Sequence, residues 1–280
     1  MTEEKLLGLK KKAVRVRRHI IEEVYNAKSG HPGGSLSIAD LMTYLYFEEL
    51  RVDPAAPKNP DRDRFVLSKG HCAPALYAVL AMRGFFPEED LVTIRKIDSY
   101  LEGHPCCNKI PGVDISTGSL GQGISNAVGI AIAGKLDKRD YRVYTVLGDG
   151  ESEEGQVWEA AMCAAHYKLD NLCGFLDVNG LQIDGKTEEV MNPNPLGKKF
   201  EAFGWNVIEI DGHDFSQIEQ AINEAKTVKG RPTMIIMHTV KGKGVSYMEN
   251  NPSWHGSAPN AEQTEQALAE IDALAKELEA

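Results

Sequence analysis

Apolar residues recur at helical spacing from the start of the chain. Leu6, Leu9, Ala13, Val16, Ile20, Ile21 and Val24 fall on one face with Lys and Arg between them, so residues 4–27 predict a helix. The segment Lys28-Ser29-Gly30-His31-Pro32-Gly33-Gly34 breaks that pattern. Ser37 is placed to cap a second helix over 38–50, which a Pro-bearing loop at 53–61 ends. A short strand is expected at 64–67, then helices at about 72–83 and 88–97. Residues 103–121 carry Gly and Pro throughout and predict a long structured loop, a feature more often functional than idle.

Beyond that loop the pattern becomes regular. Helix 122–137 precedes strand 142–147, helix 155–168 precedes strand 173–178, and a helix near 195–203 precedes strand 205–210. Helix 215–227 then leads to strand 233–238, and an Ala/Glu-rich tail over 261–279 sets Leu268, Ile271, Leu274 and Leu278 on one face. Strands alternating with helices imply right-handed βαβ units, hence an α/β fold with a parallel sheet and helices on both faces. No repeat or linker is evident. The expectation is one domain over 1–280 with helical N- and C-terminal extensions.

Composition narrows the function. With 42% apolar and 26% charged residues the chain has ordinary globular usage. The formal charge of −10 argues against a general nucleic-acid binder and requires any anionic ligand to be held by local devices. No apolar run reaches the ~18 residues of a membrane helix, and Met1–Lys12 is charged with no apolar h-region, so neither membrane insertion nor a secretory signal is expected. Cys72, Cys106, Cys107, Cys163 and Cys173 are odd in number and form no CxxC pair, which reads as reduced thiols in the cytoplasm.

Ligands of open parallel sheets bind beyond the carboxyl ends of the strands. Strand 142–147 runs into Gly148-Asp149-Gly150 and a following helix start; strand 173–178 runs into Asn179-Gly180-Leu181. If these strands are neighbours, Asp149, Asn179 and the Leu181 carbonyl form a hard-oxygen site suited to Mg²⁺ or Ca²⁺ completed by phosphate oxygens. Taken alone, Asp149 also reads as a turn or N-cap residue. His31, His71 and His104 each sit beside Gly or Pro and are suited to donate to sugar hydroxyls or exchange protons; the alternative is loop capping. His19, His166, His213 and His238 read as structural, Cys106-Cys107 as loop packing, and Lys241-Gly242-Lys243-Gly244 as either a phosphate-binding loop or a solvated turn.

GDG followed some thirty residues later by N-G resembles the thiamine-diphosphate enzymes. Ser29–Gly34 (SGHPGG), Ser68–His71 (SKGH), Glu102–Pro105 (EGHP) and Thr117–Gly123 (TGSLGQG), in this order, resemble the transketolase family over nearly the whole chain. The resemblance is to the N-terminal, diphosphate-binding part of transketolases that are more than twice as long. It implies the N-terminal subunit of a two-chain transketolase, paired with a C-terminal subunit carrying a pyrimidine-binding domain, as α2β2.

It further implies thiamine diphosphate held by a divalent cation on Asp149, Asn179 and the Leu181 carbonyl, with Gly150, His71 and Asn179 at the diphosphate and the backbone of Gly118, Ser119 and Leu120 facing the thiamine rings. Glu154 would join paired cofactor sites. His31, His71 and His104 would line the substrate channel, with His255 of Trp254-His255-Gly256 near diphosphate and substrate. The implied reaction moves a two-carbon ketol unit from a ketose phosphate to an aldose phosphate, with an activating Glu and phosphate-binding Arg residues supplied by the second subunit. The SGHPGGSLS stretch and the acidic Glu151-Ser152-Glu153 depart from many full-length members and leave substrate preference open. Alternatives are a deoxyxylulose-phosphate synthase-like or 2-oxo-acid dehydrogenase-like subunit, and a non-catalytic thiamine-diphosphate-binding half.

Overall fold

The structure, a computed structural model, describes residues 1–279. Five strands form one parallel sheet: β1 (Arg64–Leu67), β2 (Val143–Gly148), β3 (Leu172–Val178), β6 (Asn206–Asp211) and β7 (Thr233–His238), in the order β1-β2-β3-β7-β6. A two-stranded ribbon of β4 (Leu181–Gln182) and β5 (Gly185–Lys186) stands apart. Between and around them run α1 (Glu3–Ala27), α2 (Pro32–Ser37), α3 (Ala39–Tyr44), α4 (Ala73–Met82), α5 (Gly123–Leu136), α6 (Gly155–His166), α7 (Thr187–Val190), α8 (Leu196–Ala202), α9 (Phe215–Thr227) and α10 (Ala261–Glu277).

The strands are apolar on both faces, as a doubly covered sheet requires. Successive side chains point to opposite faces. Tyr144 and Val146 of β2, Cys173 and Phe175 of β3, and Ile235 and Met237 of β7 join a core with α1, α3, α4, α9 and α10. Their neighbours Val143 and Leu147, Leu172 and Leu176, and Met234 and Ile236 join a second core with α5, α6 and α8. The two terminal helices pack on one another, α1 burying Leu9, Ala13, Val16, Ile20 and Val24 at three- and four-residue steps.

Most expected elements are present within one or two residues, and 215–227 and 233–238 coincide with α9 and β7. Three differ. The expected helix 38–50 is α3 continued by a π-helical turn over Leu45–Glu49, but a separate short helix, α2, precedes it with Pro32 at its first position, and Ser37 is the buried last residue of α2 rather than a cap. The expected helix 88–97 is a 3₁₀ segment over Glu88–Thr93 that stops at Ile94, followed by Arg95 and Asp98 at positive φ (62° and 66°). On α10 the buried side chains are Thr264, Ala267 and Ile271, while Leu274 is exposed. The apolar stripe therefore meets α1 for only part of its length.

One core position is out of keeping with its surroundings. Glu23 of α1 is fully buried, and neither carboxylate oxygen has a hydrogen-bond partner among the described residues. Burial, with Glu22 adding repulsion, pushes its carboxyl well above the usual 4.5. The folded chain holds this proton more tightly than the unfolded one, so Glu23 costs stability increasingly as pH rises from about 4.5 through the folded value. Glu23→Met is therefore expected to stabilise the chain by about 1–3 kcal/mol at pH 8. The gain should fade near pH 4, as read by urea unfolding at the two pH values.

Candidate active site at the strand tips

Parallel register brings the two acidic strand ends together. Gly148 of β2 pairs with Asp177 of β3, and the Asp149 N–H donates to the Asp177 carbonyl at 3.1 Å. Asp149 is buried; its Oδ1 accepts from the Gly150 N–H (2.9 Å) and its Oδ2 from the Gly180 N–H (2.6 Å). Burial first, and then the neighbouring Asp177 carboxylate, push the Asp149 carboxyl up to about 6.

Asp177 is the one charged residue of its strand and is fully buried. Its Oδ2 accepts from Lys69 Nζ (2.6 Å), Ser37 Oγ (2.7 Å) and Asn179 Nδ2 (2.9 Å), and its Oδ1 from Thr239 Oγ1. These bonds outweigh its desolvation and hold its carboxyl below the usual range. They also orient Asn179: the amide nitrogen is spent on Asp177, which leaves Oδ1 as the outward acceptor, here taking the Leu181 N–H at 3.1 Å.

A cavity of about 200 Å³ opens over these tips. Its lining includes Asp149, Gly150, Asn179, Leu181, His71, Leu120, Lys241 and His255. Lys241 is buried, and its Nζ donates to the Leu181 carbonyl (2.9 Å) and lies 3.0 Å from His255 Nδ1. Burial and nearby Lys69 lower its ammonium to about 8. The imidazoles of His31, His71 and His255 form one cluster, with ring centroids 5.1–5.4 Å apart. Burial is the main cause that lowers all three: His31 to about 4, His255 to about 3, and His71 well below 6.5. All three are neutral at physiological pH and offer one donor and one acceptor each.

His104, Gly118, Ser119 and Glu154 are not among the lining residues of that cavity. His104 is exposed and packs on Gly118, where an added Cβ would lie 3.0 Å from its ring. Glu154 is exposed beside Gly121. Glycine makes this loop possible by close approach: a Cβ on Gly70 would fall 2.7 Å from the Gly118 nitrogen, and one on Gly123 would fall 2.4 Å from Ser68 Cα. The acidic stretch after GDG has an internal use, since buried Glu151 accepts from Ser68 Oγ and from the Gly121 and Gly148 N–H groups.

Three residues that sequence reasoning misses or leaves open carry much of this arrangement: Lys69, Asp177 and Lys241. For Asp177 the signal is present, a lone carboxylate closing an otherwise apolar strand. Lys69 lies within the SKGH motif, where nothing local gives it a role. Burial of Lys241 shows that its loop is no solvated turn.

An open parallel α/β sheet that gathers a buried carboxylate, an amide oxygen and several imidazoles around one cavity beyond its strand ends has the layout of a ligand-binding α/β fold. Residues 9–273 match the family model described as "Transketolase, thiamine diphosphate binding domain". The chain belongs to the transketolase family. It is 46% identical over 263 residues to one of the subunits of the apulose-4-phosphate transketolase of Phocaeicola vulgatus, covering 94% of this chain and 93% of that one. It is 45% identical over 269 residues to the 6-deoxy-6-sulfo-D-fructose transketolase subunit SqwG of a Clostridium species, covering 96% and 98%. The transketolase structure from Campylobacter jejuni superposes with a TM-score of 0.90 at 32% identity, covering 99% of this chain but 46% of that one. The chain thus spans less than half of a full-length transketolase and nearly all of the subunit-type relatives.

Removing one partner of a buried ion pair leaves the other charge uncompensated. Lys69→Met should therefore cost about 3–5 kcal/mol of stability, and adding Asp177→Leu should recover most of it. Urea unfolding of the single and double variants checks this.

Proposed function

We propose that this chain is the diphosphate-binding subunit of a two-chain transketolase and transfers a two-carbon ketol unit from a ketose phosphate to an aldose phosphate. The observation that carries the reading is the cluster of three neutral imidazoles in and beside a cavity whose lining holds Asp149 and Asn179. The donor chemistry fits Mg²⁺ or Ca²⁺: a carboxylate that burial has pushed up to about 6 lacks a compensating cation, and it is accompanied by an oriented amide oxygen and a backbone carbonyl. Asp149, Asn179 and the Leu181 carbonyl would hold that cation. Gly150, His71, Asn179 and Lys241 would face the diphosphate, and Gly118, Ser119 and Leu120 the thiamine rings. Bound thiamine diphosphate supplies the carbon nucleophile that accepts and passes on the two-carbon unit.

The chain's own residues bind, orient and move protons. Neutral His31, His71 and His255 can donate to a sugar hydroxyl or carbonyl without importing a charge, and His31 Nδ1 is buried with no hydrogen-bond partner among the described residues. His104 at the rim extends that set along the substrate channel, and Glu154 would link paired cofactor sites across the assembly. The near-complete coverage of subunit-type relatives supports a partner chain, and in this reading the partner is a C-terminal chain with a pyrimidine-binding domain, in an α2β2 assembly in the cytoplasm. The relatives' names carry apulose-4-phosphate, a sugar phosphate, and 6-deoxy-6-sulfo-D-fructose, a sulfonated sugar, which supports an anionic sugar as the substrate class here.

Mixing the purified chain with its partner chain and assaying ketol transfer should give activity that neither shows alone; full activity from this chain by itself would overturn the two-chain reading. Asp149→Ala should weaken Mg²⁺-dependent thiamine diphosphate binding by more than roughly 100-fold, since outer-layer partners alone are worth about 10–100-fold. Its melting temperature without ligand should change little, because removing a desolvated carboxylate offsets the loss of the two backbone hydrogen bonds it accepts. Titration calorimetry and a melting curve read the two effects.

A further inference from the structure

His213 lies outside the cavity and follows β6 in Asp211-Gly212-His213-Asp214, where the sequence reads as a turn. Its ring is engaged on both nitrogens. Nδ1 is 2.8 Å from Asp40 Oδ2, and Nε2 accepts the Val240 N–H at 2.9 Å. A backbone N–H can only donate, so Nε2 carries no proton and Nδ1–H is the donor to Asp40. Asp40, buried on α3, is itself clamped by the guanidinium fork of Arg17 at 2.9 and 2.6 Å. The same Arg17 donates through Nε to the Lys243 carbonyl at 3.2 Å.

The segment 240–243 is therefore held at both ends by groups keyed to one carboxylate. His213 holds the Val240 N–H, and Arg17 holds the Lys243 carbonyl. Between these anchors the Gly242 N–H donates to the Gly33 carbonyl (3.0 Å) and the Lys241 carbonyl accepts from the Asn250 N–H (2.9 Å). The side chain so delivered is that of Lys241, whose ammonium enters the cavity at Leu181 and His255. A flexible four-carbon stem reaches one point in a buried pocket only if its backbone is fixed.

We propose that His213, oriented by Asp40 and Arg17, is a positioning residue that fixes the backbone at Val240 and so places the Lys241 ammonium in the strand-tip cavity. The inference rests on the reading of that cavity as the diphosphate site. It assigns His213 no contact with substrate or cofactor.

The test uses the full chain and two readouts. Amide hydrogen exchange without ligand reports the Val240 N–H directly, and calorimetry reports thiamine diphosphate binding in Mg²⁺. His213→Ala should raise Val240 exchange at least about tenfold and weaken binding about tenfold, the lower end for a lost outer-layer partner. His213→Gln, whose side-chain oxygen can take the place of Nε2 as acceptor, should restore most of both at an unchanged melting temperature. Lys241→Met should bind at least as weakly as His213→Ala.

Wild-type affinity in His213→Ala alongside weakened binding in Lys241→Met would overturn the positioning role. So would His213→Ala and His213→Gln failing equally, in step with their melting temperatures. If Asp149→Ala and Lys241→Met both bind as the wild type does, the reading of the cavity is what fails. Val240 exchange would then still show whether His213 holds that segment.

Discussion

Two carboxylates sit at the ends of adjacent parallel strands, both out of water. Asp149 and Asp177 repel each other where the local medium screens poorly. The arrangement stands because Lys69 and three hydrogen-bonding neighbours satisfy Asp177 completely. Asp149, by contrast, has only backbone N–H groups and remains the poorly compensated partner. That asymmetry gives the site its character. One acid is neutralised within the scaffold, and the other is not.

The other parts of the site follow from holding that pair in place. Asp177 spends the nitrogen of Asn179 and so aims its oxygen; Ser37 and Thr239 bring α2 and the end of β7 to the same carboxylate. The glycine-rich segments close over the top because backbone can approach backbone where no Cβ intervenes, and Glu151 ties two of them to β2. Burying the imidazoles lowers their pKa values and leaves each ring with one donor and one acceptor.

Much of the fold was legible in the chain. Alternating apolar runs and amphipathic stretches mark the strands and most helices, because a doubly covered sheet needs strands apolar on both faces. The readings failed where a local signal met a tertiary demand. Ser37 looks like a helix cap, but it closes the short helix α2 and its hydroxyl is recruited by Asp177. Residues 88–97 carry a helical pattern, yet a 3₁₀ segment ends it and Arg95 turns the chain with positive φ. The Lys241 loop reads equally as a mobile turn, and only its buried ammonium distinguishes it.

For the site, His255 came from the family resemblance, while His31, His71, Asp149 and Asn179 could be picked out from residue type and neighbours, since glycine, proline and strand ends advertise themselves locally. Their convergence could not. Asp40 and His213 are 173 residues apart, and Lys69 and Asp177 are 108 apart; nothing in either neighbourhood names the other. Linear pattern settles which segments form strands and which polar residues sit at their ends, because those depend on periodicity and turn chemistry. Strand order and register decide which charges become neighbours in the dry interior, and it is that proximity which sets protonation, orientation and binding capacity.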